Sequence, residues 1–157
     1  MTPEKAAQQP GDAYVGALIG NAFVVRWRRA PTVIEVNNLL REVIAAAQSQ
    51  KHLICMAIVP GSVNPPEDEA RRQMMANTEK ILAVAEAMHF VIEGTGFKHV
   101  MLRSVVTGLI LVSGRRGRIV VHNSFDEAAR SAGPTLTIPV AQLISAARSQ
   151  RLVSPPE

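Results

Sequence analysis

The sequence predicts an α/β fold built on a mixed five-stranded sheet, and three observations lead there. Short apolar runs rich in β-branched residues alternate with longer segments whose apolar residues recur at three- and four-residue spacing. The first two runs, "AYVGALIG" and "AFVVRW", flank Gly20-Asn21, a dipeptide that suits a two-residue hairpin turn. After that hairpin every strand-like run is followed by a helical segment, the alternation that links parallel strands through right-handed crossovers. The expected order is β-β-α-β-α-β-α-β-α plus a C-terminal helix, with strands 2 to 5 parallel.

Each element has its own warrant. In the second strand Phe23, Val25 and Trp27 share one face, and Val24, Arg26 and Arg28 the other. Pro31-Thr32 opens a helix whose stripe is Val36, Leu39, Leu40, Val43, Ile44 and Ala47. "HLICMAIV" (52–59) is a continuous apolar run, as a strand buried on both faces requires. The next helix spans Arg71 to Met88, with Met74, Met75, Ile81, Leu82 and Ala85 inward, and "HFVIEG" (89–94) follows as a strand. From Phe97 to Val112, His99, Arg103 and Thr107 fall at i, i+4, i+8, a helical polar strip in an otherwise apolar segment. "RIVVH" (118–122) is the last strand. Ser124 and Glu127 then have capping-box spacing, and Val140, Leu143, Ile144 and Ala147 form the stripe of a terminal helix.

Composition narrows the class. A chain of 157 residues, 47% hydrophobic, reads as one globular domain. Only 4% of it is aromatic, so aliphatic residues and Met must fill most of the core. One cysteine, Cys55, excludes an intrachain disulfide and suits a reducing cytoplasm. The polar start shows no apolar leader, and Val100–Val112 is too short to span a bilayer, so a cytoplasmic location is expected. The expected organisation is a disordered tail (1–12), the main domain (13–132), a C-terminal helix packed on it (133–151) and a tail (152–157).

The hairpin, "HLICMAIVPG", "HFVIEGTGFKHVMLRS" and "RIVVHNSFDEAA" together resemble the STAS domain of bacterial anti-sigma factor antagonists, closest to the broader SpoIIAA-like group, over about residues 13–132. The resemblance implies a regulatory protein–protein interaction module of a bacterial signalling pathway, with a regulator, kinase or anti-sigma-like protein as partner and neither enzymatic activity nor a cofactor. In those antagonists the loop after the third strand resembles "DSSG" and its serine is phosphorylated. Here that loop reads "VPGSVNPPEDE", without the motif. Its candidate partner-binding residues are Ser62, Asn64, Glu67, Asp68 and Glu69, with Ser62 also a possible phosphosite. Glu67, Asp68 and Glu69 either stand in for a phosphoserine's charge or complement the dipole of the helix they begin.

Other patterns carry less. Arg26 and Arg28, with Arg115 and Arg116, form a possible anion patch within a net charge of +4, but aromatic residues for base stacking are nearly absent, which ranks nucleic acid last. "EGTGFK" (93–98) is half of a glycine-rich phosphate loop and more simply a tight turn. The four histidines show no metal-ligand spacing, and no metal is expected. The 97–112 helix is apolar over more of its circumference than a sheet covers. Either the terminal helix or a second copy of the chain must cover the rest, with Met101, Val105, Leu109 and Ile110 as candidate dimer residues. A carrier of a hydrophobic small molecule or lipid is the alternative function, marked by an apolar pocket opening near Met74 and Met101. Binding of nucleic acid through the arginines is the second.

Overall fold

The computed structural model describes residues 13–113 and 117–154. The expected tail at 1–12, the end beyond 154, and Arg115 and Arg116 lie outside the described residues. The strands are β1 (Tyr14–Ile19), β2 (Ala22–Trp27), β3 (Ile54–Val59), β4 (Ala87–Ile92) and β5 (Ile119–His122). They lie side by side in chain order, with β1 antiparallel to β2 and every later pair parallel. This is the mixed sheet the alternation predicts.

Chain order decides the layering. Strands added one after another in a single direction, through crossovers of one hand, place all the crossover helices on the same face. Those helices are α1 (Val33–Ser49), α2 (Asp68–Leu82) and α3 (Phe97–Ser113). They bury Val43, Ile81, Leu102, Val106 and Leu109 against Phe23, Val25, Trp27, Cys55 and Phe90. The alternate strand residues, Val24, Ile54, Met56, Ile58 and Val91, face the other way. No crossover follows β5, so the remaining helices are free to close that bare face. α4 (Phe125–Ala132) and α5 (Val140–Ser149) do so, placing Phe125, Ala128, Ala129, Leu143 and Ala147 on it. The terminal helix therefore does not cover α3; it lies across the sheet from it.

Element ends follow from hydrogen bonding. Thr32 caps α1 in a full capping box: its hydroxyl accepts from the Glu35 N–H, and the Glu35 carboxylate accepts from the Thr32 N–H. Ser124 caps α4 by accepting from Glu127 N–H, while the Glu127 carboxylate accepts from the neighbouring Asn123 N–H. Helix α2 differs from the expected 71–88. It begins at Asp68 and stops at Leu82, and β4 begins at Ala87, so Met88 is a strand residue. The reason is a cap that sequence spacing does not show. Arg118, just before β5, donates to the carbonyls of Leu82, Ala85 and Glu86, while the Glu86 N–H already pairs with Leu53.

The chain end also departs from expectation. Leu152 and Val153 are buried beside α5 instead of trailing off as a tail. Arg151 turns the chain with a φ of 60°, and the N–H groups of Arg151 and Leu152 return to the carbonyls of Arg148 and Ala147. That pair of bonds is a Schellman closure made without its usual glycine.

Candidate recognition site

The β3–α2 and β4–α3 loops leave the carboxyl ends of adjacent parallel strands, where open α/β sheets present their binding residues. Here the two loops touch. At Gly61 an added Cβ would stand 2.5 Å from the Glu93 carbonyl oxygen, so only glycine permits this approach. The loop is pinned from beneath by Val63 and Pro66, which are buried, and by a turn in which Val63 N–H donates to the Pro60 carbonyl. Its polar residues Ser62, Asn64, Glu67, Asp68 and Glu69 all face solvent. Glu67 stands at the N-cap of α2 without a side-chain capping bond, and Asp68 pairs with Arg71 one turn on.

Helix α3 runs beside this loop. Val105 shares the lining of one small opening with Asn64 and Pro66, so that row of the helix looks toward the loop. One and two turns earlier on the same row stand Met101 and Phe97, exposed by 38% and 77%, with Val100 alongside at 59%. The exposed acids at the start of α2 and these exposed apolar side chains at the start of α3 thus both lie at the carboxyl end of the parallel strands. Of the four candidate dimer residues, Met101 is exposed and Val105 and Ile110 are half-buried. Leu109 is turned into the core among Leu102 and Val106, which removes it from any outer contact.

The structure assigns several arginines to internal work. Arg26 makes a two-pronged pair with Glu93, at 3.1 and 3.2 Å, and also donates to the Leu152 carbonyl and the Ser154 hydroxyl. It thereby ties the chain end to the carboxyl edge of the sheet. Arg29 pairs with Glu35, and Arg118 holds the end of α2. Arg28 is exposed just past β2, its N–H donating to the Ala13 carbonyl.

One polar pair escapes sequence reasoning. His89 of β4 and His122 of β5 are buried with Nδ1 and Nε2 2.9 Å apart. They come together because β4 and β5 are neighbours in a register that sets Val91 opposite His122, placing both rings on the α4 face. One nitrogen must donate and the other accept, so at least one ring of the pair is neutral. Burial, then the neighbouring ring, pushes His89 down to about 4. Burial also lowers His122, opposed by the charge of Glu127. Alternating strand faces and strand order were the available signals; the register was not. Among the described residues no group of three or more His, Cys, Asp or Glu is placed to hold a metal ion. No described helix is long and apolar enough to cross a membrane.

No protein-family model matches the chain, and neither the curated proteins nor the solved structures include a match to it.

Proposed function

We propose that this chain is a non-enzymatic protein-recognition domain that acts in the manner its STAS-like element order suggests, as a regulatory module in bacterial signalling. One observation carries the reading: two loops in close contact at Gly61 and Glu93 lead into helices whose first turns expose acids, Glu67 to Glu69, on one and apolar Phe97, Val100 and Met101 on the other. Apolar side chains gathered on a rigid surface and edged by charge are the composition of a protein contact. The partner it fits is a protein offering an apolar anchor flanked by lysine or arginine. The acids steer such a partner, and the apolar residues supply the desolvated centre. On this reading the triplet supplies permanently the charge that phosphorylation supplies in the antagonists.

Affinity capture from the native host with the full chain, followed by mass spectrometry, tests this against two variants. One changes Glu67, Asp68 and Glu69 to alanine; the other combines Phe97→Ser with Met101→Ser. The expected result is one specific protein bound by the wild type and lost by both variants, whose thermal unfolding is unchanged. A partner kept by both variants overturns the reading.

A further inference from the structure

Beneath the recognition loop, between the sheet and helices α1, α2 and α3, packing leaves two openings. The larger, about 70 Å³, has walls that include Phe23, Trp27, Cys55, Met74, Phe90 and Leu109. The smaller, about 40 Å³, extends from Trp27, Met74 and Phe90 to Asn64 and Pro66 of the loop and Val105 of α3. Met74 lines both, and its unbranched thioether chain repacks easily. With that chain swung aside the two become one slot reaching the loop. Of the two methionines singled out from the sequence, Met74 lines both openings and Met101 lines neither.

The chemistry of the walls selects the occupant. Asn77 and Thr78 bring the larger opening its amide and its hydroxyl, and both are already used. The Asn77 amide donates to Asn37, its oxygen accepts from Gln73, and the Thr78 hydroxyl donates to the Met74 carbonyl. A buried water needs two to four polar partners, and these walls offer it little. Among the described residues no lysine or arginine lines either opening. Arg71, which donates to the Pro66 carbonyl at the mouth, is paired there with Asp68, itself flanked in sequence by Glu67 and Glu69, so the mouth carries more acid than base and disfavours an anionic head group. Burial pushes the Cys55 thiol up to about 12, so at neutral pH it lines the opening as a protonated, weakly polar group.

We infer that this slot is a binding site for a small, neutral, apolar molecule, a single aromatic ring or a short alkyl chain, admitted past residues 64–66 as Met74 moves aside. A dry aliphatic and aromatic cavity of about 150 Å³ takes up benzene, a size within reach once Met74 yields. The entrance shares residues 64–66 with the loop above it, while the larger opening lies beneath that loop.

Trp27 is the only tryptophan and lines both openings, which makes it a built-in reporter. The full chain is titrated with iodobenzene, whose heavy atom quenches indole emission, with toluene and octanoate as competitors. Saturable quenching that toluene reverses and octanoate does not is the expected result. Ala57→Leu and Leu39→Phe each fill the larger opening and should weaken the half-saturation point by about tenfold while circular dichroism is unchanged. Quenching that only rises linearly with iodobenzene overturns the inference, as does equal saturation in whichever filled variant keeps its fold. Octanoate competing better than toluene overturns the neutral class and indicates a fatty acid.

Discussion

The two faces of the sheet are built from the same strands but packed to different standards. Over one face α4 and α5 set alanines against the strands, and Ala128, Ala129, Leu143 and Ala147 are all fully buried. Small residues let helix backbone approach sheet closely, and the side chains that remain interlock. Over the other face Phe23, Trp27, Met74 and Phe90 hold the helices off with bulky groups that do not tile, and openings remain between them. α3 on that side also leaves Phe97, Val100 and Leu111 in solvent. The openings and the exposed apolar residues thus fall on the same side of the sheet, the side to which the proposed binding belongs.

Three measurements would break or sharpen this contrast. The largest effect is expected from equal truncations on opposite faces. Leu143→Ala should cost about 4–5 kcal/mol in urea unfolding and Leu109→Ala about 2–3 kcal/mol, because the cost of a truncation grows with the cavity that cannot close. Equal losses would mean the faces are packed alike.

Acid should strike the closely packed face first. The histidine pair has its folded affinity for protons depressed, so the unfolded chain takes up protons before the native one does. Stability is therefore complete above about pH 6.5, the ordinary imidazole value, and falls as pH drops toward the value near 4 of His89. A loss on the order of 2 kcal/mol by pH 4.5 is expected, and His89→Gln should flatten that slope. A variant with an undiminished slope would place the acid sensitivity elsewhere. The smallest effect is a gain. Arg151 occupies left-handed backbone, so Arg151→Gly should stabilise the closure of α5 by about 1 kcal/mol, read as a shift in the urea midpoint.

Much of the architecture was legible because it depends on local pattern. Gly20-Asn21 marks the hairpin, period-two and period-3.6 stripes separate strands from helices, and Ser124 with Glu127 marks a helix start. What was not legible depends on three dimensions. A stripe such as Leu143 and Ala147 shows that a helix has an inner side, but not which face of the sheet receives it. The end of α2 is set by Arg118, thirty-six residues away from the Leu82 carbonyl it holds. The β3–α2 loop could be located by its prolines and acids, whereas the place of Phe97 and Met101 required knowing that α3 runs beside it. His89 and His122 looked unrelated in the chain, and only strand register joins them.

The pair formed by Arg26 and Glu93 has a consequence for architecture beyond this domain. It draws Ser154 to the carboxyl edge of the sheet, and at the other end of the described chain Ala13 is bonded to Arg28 along that same edge. Both ends of the described chain therefore lie at the sheet edge from which the β3–α2 and β4–α3 loops leave. A segment joined to either end is tethered within reach of that edge, at a local concentration set by its length rather than by its abundance. A fused segment with some affinity of its own for the proposed site would thus compete there with a free partner even when that affinity is weak.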